Sequence, residues 1–176
     1  MSNNLDFVLE MAQACLLARA KVRFLMIGAG AKARMISTRA HHMNLNNISI
    51  LPHQNRKEIR QWMKEVDACL TTFLDIPILQ TNSPNKFFEG LAAAKMCIVN
   101  TRGWLKELVE EHKCGIFVDA AHPREFPKMI APFVEDEALL HTYQQNARKL
   151  AVARFAKDDL VGQIGTLIEE LMLNKE

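Results

Sequence analysis

Residues 67–100 read DACLTTFLDIPILQTNSPNKFFEGLAAAKMCIVN. Two short apolar runs, DACLTTF (67–73) and MCIVN (96–100), enclose a loop rich in Pro and Asn and a helix expected from Pro84 onward. Runs this brief, largely apolar and bounded by turn residues suit strands of a sheet covered on both faces. Two such strands joined through a helix make a βαβ unit, whose strands lie parallel. The alternation continues in both directions. Upstream, VRFLMIG (22–28) reads as a strand ending at Gly28, residues 31–44 as a helix, and NISIL (47–51) as a strand. Asn55–Val66 then reads as a helix with Asn55 and Glu58 at the N-cap and N3 positions of a capping box. Downstream, a helix over Gly103–Glu111 leads to CGIFVD (114–119), the fifth strand. The fold class is therefore α/β, a doubly wound parallel sheet of about five to six strands with helices on both faces.

The two ends add helices. Leu5, Val8, Leu9, Ala12, Leu16 and Leu17 recur at helical spacing after Ser2-Asn3-Asn4, so the first element is an amphipathic helix. From Pro123 onward no run resembles a strand, and three helices are expected, the last over Lys157–Asn174. No repeat, low-complexity segment or linker divides the chain, so residues 1–176 are read as one domain. A doubly wound sheet ordinarily opens with a strand, and this chain opens with a helix. The expectation is a piece of a longer protein, cut just after its first strand.

Composition removes several function classes. With 22 Lys and Arg against 20 Asp and Glu, the net charge is +2, and no basic run tracks a phosphate backbone, so no nucleic-acid partner is expected. No stretch approaches the roughly 18 consecutive apolar residues of a spanning helix. The N-terminus lacks a basic leader region, and the expected location is the cytoplasm. Cys15, Cys69, Cys97 and Cys114 stand far apart with no C-x-x-C pair and read as reduced, buried thiols. No metal-ligand spacing, Ser-His-Asp order, H-E-x-x-H, G-x-S-x-G or Walker P-loop is present.

Parallel sheets bind ligands at the carboxyl ends of their strands. Three loops there carry candidate residues: Gly28-Ala29-Gly30, Pro52-His53-Gln54-Asn55 and Thr81-Asn82-Ser83-Pro84-Asn85-Lys86. In the third, Ser83 suits an N-cap and Pro84 the first helical position, leaving backbone N–H groups directed off the sheet edge. Lys86 lies in that first turn with no acidic neighbour, an arrangement matched to a bound anion such as a diphosphate. Glu89 follows one turn deeper, within reach of a ribose. A solvated Lys86–Glu89 ion pair is the competing reading of that spacing. The G-x-G turn departs from the dinucleotide fingerprint, since Ala33 stands three residues after Gly30. His53 follows a strand end and has no ligand partner at metal spacing. Trp62 and Trp104 read as packing residues.

The stretch SPNKFFEGLAAAKMCIVN (83–100) resembles the donor-site helix and following strand of glycosyl transferases group 1, retaining enzymes of the GT-B fold. FLMIGAGAKA, NISILPHQNRKEI, RGWLKELVEEHKCGIFVD and RFAKDDLVGQIGTLIEEL resemble further elements of that family, so the similarity covers nearly the whole chain. The resemblance implies a Rossmann-like, nucleotide-sugar-binding C-terminal half of a GT-B enzyme whose acceptor-binding N-terminal half is missing. It implies that Asn82, Ser83, Pro84, Asn85 and Lys86 hold the donor diphosphate and Glu89 the ribose. His53 and Gln54 would border the base, with Gly28 and Gly30 in the adjoining turn. Lys86 and Glu89 are the catalytic candidates, and no cofactor is expected beyond a nucleoside diphosphate sugar, UDP-linked, as donor.

The Ser-Pro-x-Lys form resembles the branch that builds lipopolysaccharide O-antigens and capsules, which would place the whole enzyme at the inner face of the membrane, peripheral to it. The isolated piece would self-associate through its exposed former interdomain face. Departures from the family pattern are Thr81 where a first Glu is common, Ala29 in the glycine turn, and Ala94 where Gly is common. A GT-B-like nucleotide-sugar epimerase domain and a non-catalytic Rossmann-like interaction module are the alternatives.

Overall fold

The computed structural model describes residues 3–173. Helix α1 (Leu5–Leu17) opens the chain, capped by Asn4, whose side chain accepts from the Phe7 N–H. There follow β1 (Phe24–Ile27), α2 (Ala33–His42), β2 (Ile48–Leu51), α3 (Arg56–Glu65), β3 (Ala68–Thr71), α4 (Asn85–Ala92), β4 (Met96–Val99), α5 (Trp104–Glu111) and β5 (Gly115–Phe117). Three helices complete it: α6 (Phe126–Glu135), α7 (Glu137–Phe155) and α8 (Lys157–Leu173). Asn174, expected to end the last helix, lies outside the described residues. Short 3-10 helices at Pro77–Thr81 and Pro123–Glu125 interrupt stretches read as loop and helix.

Five parallel strands appear as expected, but in two ladders: β1 with β2, and β3–β4–β5 in that order. A single continuous sheet was the expectation. No hydrogen bonds join β1 to β3, so the sheet is divided where its two halves should meet.

Strand β4 shows why such runs are apolar throughout, since all four of its residues are buried. Met96 and Ile98 face a cluster with Phe7, Val8, Met11, Ala12 and Cys15 of α1 and with Phe126, Ile130 and Phe133 of α6. Cys97 and Val99 face the opposite cluster, built from α4, α5 and α7 with Phe87, Leu91, Leu105, Val109 and Leu150. On that second face the backbones approach closely. A Cβ on Gly90 would lie 3.0 Å from the Cys69 Cβ, and one on Gly115 would lie 1.8 Å from the Cys97 carbonyl oxygen. The four cysteines are free, with Cys69 half-buried and the others buried.

Helix α3 carries the capping box read from its sequence: the Asn55 side chain accepts from the Lys57 and Glu58 N–H groups, and the Glu58 carboxylate accepts from the Asn55 N–H at 2.8 Å. None of its residues is buried. No helix among the described residues is long and apolar enough to cross a membrane.

Candidate functional site at the carboxyl edge

The loops after β3 and β4 are held together from within. Asn100, buried directly after β4, accepts from the Phe73 N–H at 2.8 Å and donates to the Phe73 carbonyl at 2.9 Å. This pair fixes Phe73 at the edge, and the Phe73 ring in turn receives the Lys86 ammonium, 4.6 Å from its centroid. The same ammonium donates to the Asn3 side chain at 2.8 Å. Burial against these groups lowers the Lys86 pKa below its ordinary value, because part of the hydration shell of the cation is lost.

Helix α4 begins one residue later than its sequence suggested. Pro84, not Ser83, is the N-cap, with an extended backbone (ψ 127°), and Asn85 is the first helical residue. The local preference of Pro for the first helical position is overridden by the loop before it, which is pinned elsewhere: the Trp104 indole donates to the Asn82 carbonyl at 3.1 Å. Trp104 also stacks on Phe88 and meets Phe87 edge-on. Its packing role was legible, whereas its grip on the loop before α4 was not. Gly103, with φ 82°, lets the start of α5 approach the same loop, where an added Cβ would stand 3.3 Å from the Gln80 carbonyl oxygen.

One consequence of this cap is chemical. Pro84 has no side chain that can bond the helix end, and α4 has no acidic residue in its first turn. The Phe87 N–H returns to the Pro84 carbonyl at 3.0 Å, but the N–H groups of Asn85 and Lys86 have no acceptor among the described residues. Two free donors and the positive end of a helix dipole thus lie in the same turn as the half-buried Lys86, whose ammonium is held by Asn3 and the Phe73 ring. Such a corner attracts a multiply charged anion.

The remaining candidates divide into two groups. Gly28 and Gly30 form an open, exposed turn after β1, with nothing within 4 Å of a built Cβ at either. His53 is exposed and Gln54 half-buried after β2. The Gly28 N–H donates to the Leu51 carbonyl at 3.1 Å, which ties these two loops to each other. They belong to the β1–β2 ladder, while Asn82 to Lys86 belong to the three-stranded ladder. Glu89 is exposed and makes no ion pair with Lys86, whose ammonium is turned to Asn3. It borders a groove between α4 and α7 lined by Phe88, Ala92, Arg148, Val152 and Phe155.

Sequence reasoning missed Asn100, Phe73 and Asn3. Asn100 left one signal, an amide side chain directly after a fully apolar strand at its carboxyl end. The other two come close to Lys86 only through folding.

Comparison with known proteins bears on the family and the fold. The family described as glycosyl transferases group 1 matches residues 1–136. Among solved structures, TarM of S. aureus, in complex with fondaparinux, alpha-GlcNAc-glycerol and UDP, superposes with a TM-score of 0.78 at 12% identity over 95% of this chain and 33% of its own. WaaG, a glycosyltransferase involved in lipopolysaccharide biosynthesis, gives 0.68 at 13% identity over 87% and 40%. The C-terminal domain of a glycosyl transferase group 1 family protein, LpcC of Francisella tularensis, gives 0.61 at 13% identity over 85% and 80%. No curated protein matches the chain. The chain spans about a third of the length of TarM. With the match covering residues 1–136 and structural neighbours of the GT-B class, the chain belongs to the glycosyl transferases group 1 family.

Proposed function

We propose that this chain is the single nucleotide-sugar-binding domain, the C-terminal half, of a retaining two-domain glycosyltransferase that moves a hexosyl or aminodeoxyhexosyl group to a surface-polysaccharide acceptor. The observation that carries the reading is the uncapped start of α4, where the Asn85 and Lys86 N–H groups have no acceptor among the described residues and Lys86 lies in the first turn. In transfer from a nucleoside diphosphate sugar, negative charge accumulates on the departing diphosphate as the anomeric carbon–oxygen bond breaks. Donors fixed in advance at the place where that charge develops lower the barrier without reorganisation. Lys86 would exchange its bond to Asn3 for one to a phosphate oxygen. Glu89, one turn deeper, would accept from the ribose hydroxyls, with His53 and Gln54 bordering the base.

The acceptor and its contacts would belong to the other half of the enzyme, so this piece alone would bind donor and transfer nothing. Resemblance of the Ser83–Lys86 motif supports a lipopolysaccharide, O-antigen or capsule pathway, at the inner face of the membrane and peripheral to it. The carboxyl edge and the final helix would face the missing half, and in the isolated chain they are free to self-associate.

Calorimetric titration with UDP, UMP and GDP tests the diphosphate site. UDP is expected to bind at least about tenfold tighter than UMP, and Lys86→Ala to remove that preference, since each charge-assisted hydrogen bond contributes about 1.5–3 kcal/mol. Equal binding of UDP and UMP, unaffected by Lys86→Ala, would place the diphosphate elsewhere.

A further inference from the structure

We infer that Met63, Cys69 and Cys97 form a three-sulfur site for a soft monovalent cation of the copper(I) type, beneath the glycine of α4. The three side chains come from α3, β3 and β4, so no spacing in the sequence announces them. Cys69 and Cys97 stand opposite one another in the parallel β3–β4 ladder, and residues paired in register project to the same face. Helix α4 covers that face. Both thiol sulfurs lie 3.4 Å from the place a Cβ on Gly90 would occupy, so they converge on one point and are at most twice that distance apart. With glycine at position 90, α4 puts no side chain between them.

Met63 supplies the third sulfur. The Cys69 thiol donates to the Met63 Sδ at 3.8 Å. Bonds from a metal to sulfur are about 2.3 Å long, and at trigonal or tetrahedral angles they hold two sulfurs about 3.8–4.0 Å apart. The Met63–Cys69 pair already has that separation. Cys97 joins the same centre by giving up the weak 3.5 Å contact of its thiol with the Lys95 carbonyl. Met63 and Cys69 are half-buried and Cys97 is buried, so an arriving ion meets the first two sulfurs before the third.

The donor set selects the ion. Two thiolates and a thioether are soft ligands suited to copper(I). Among the described residues no three His, Cys, Asp or Glu side chains come together as a metal site, so neither the four-ligand set of a structural zinc nor the oxygen cage of calcium is offered. Binding exchanges protons for the cation: each thiol releases its proton to solvent, two thiolate–metal bonds form, and Met63 adds a lone pair. No electron moves, and the centre carries one negative charge. Burial pushes the Cys69 thiol up to about 11 and the Cys97 thiol well above its ordinary value, which keeps both protonated and unreactive until a cation bonds them directly. Lys95 and Glu89 act on Cys69 with opposite signs, Lys95 the more strongly, and its charge offsets that of the occupied centre.

The reduced full chain under argon tests this with copper(I) and with silver(I), a redox-inert ion of the same charge and ligand preference. With carbon-13 in the methionine methyl groups, one equivalent of silver(I) is expected to shift the Met63 signal, recognised by its loss in Met63→Leu, and to leave the other methionines in place. Titration of copper(I) against a competing chelator is expected to show one tight equivalent. Its affinity should fall at least about tenfold in Met63→Leu and in Cys69→Ser and stay unchanged in Cys15→Ala, on the opposite face. Met63→Leu keeps the volume of a half-buried side chain, so it remains informative if Cys69→Ser does not fold. A silver(I) shift at no methionine, or at a different one, overturns the proposal. So does copper(I) held as tightly by Met63→Leu as by the parent chain, which would make the three sulfurs core packing only.

Discussion

Asn100 shows how much a single amide can organise. Its two hydrogen bonds satisfy both backbone groups of Phe73, a residue only 4% exposed. Removing the amide leaves a buried N–H and a buried carbonyl without partners, each costing about 1–3 kcal/mol. Asn100→Ala is therefore expected to destabilise the chain by about 2–4 kcal/mol, read as a lower urea midpoint with an unchanged slope. It should also loosen Phe73 and with it the cation–π contact that holds Lys86, so that UDP affinity falls as well, although Asn100 lies behind the binding corner. A stable Asn100→Ala protein with undiminished affinity would show that the Phe73 loop is held by other means. Gly115 is constrained differently: the position facing the Cys97 carbonyl has no room for a side chain, while Gly28 in the open turn has all the room it needs. The same residue type thus reports packing at one site and leaves a surface open at another.

Elements were legible in the sequence where their cause is local. The apolar run that became β4 is buried on both faces, and the Asn55–Glu58 capping box is complete within four residues. What was not legible depends on distant partners. The start of α4 moved from Ser83 to Pro84 because Trp104, 22 residues beyond Asn82, draws the preceding loop toward α5. Lys86 looked free for an anion or for Glu89, and it is bound to Asn3, 83 residues away. The free N–H groups at that helix end follow from Pro84 standing at the cap, since its side chain has no acceptor to offer them.

Helix α8 is the opposite case, a regular element without tertiary support. Leu160, Val161, Ile164, Leu167, Ile168 and Leu171 form an apolar stripe, and each is at least 39% exposed. Residues 157–172 include none that is buried, and Gly162 and Gly165 weaken the helix further. Ending the chain at Ala156 is expected to shift the melting temperature by no more than about 2 °C, the size of a surface change of a few tenths of a kcal/mol. A larger loss would mean that the stripe packs on the domain in solution.

Across the whole molecule, the division of the sheet sets the pattern of stability. The β3–β4–β5 ladder is clamped between two clusters, whereas the β1–β2 ladder is covered mainly on the face of α1 and α2, and α3 buries nothing over the other. Contact density of this kind predicts local opening of the β1–α2–β2–α3 part below the global unfolding free energy. Native-state exchange should then place residues 48–51 at least about 2 kcal/mol below residues 96–99 in opening free energy. The candidate site gives this difference a functional reading, because Gly28, Gly30, His53 and Gln54 lie on the weaker ladder and Asn85 and Lys86 on the stronger one. A nucleotide that bridges them, base on one loop and diphosphate on the other, stabilises the closed form of the weaker part by mass action. UDP at about one hundred times its dissociation constant should raise the opening free energy of residues 48–51 by up to about 2.7 kcal/mol. Pyrophosphate alone at matched saturation should protect the start of α4 and leave β2 unchanged. If UDP and pyrophosphate protect the same amides, the base makes no contact with the first ladder, and the assignment of His53 and Gln54 to the base fails while that of the diphosphate corner stands.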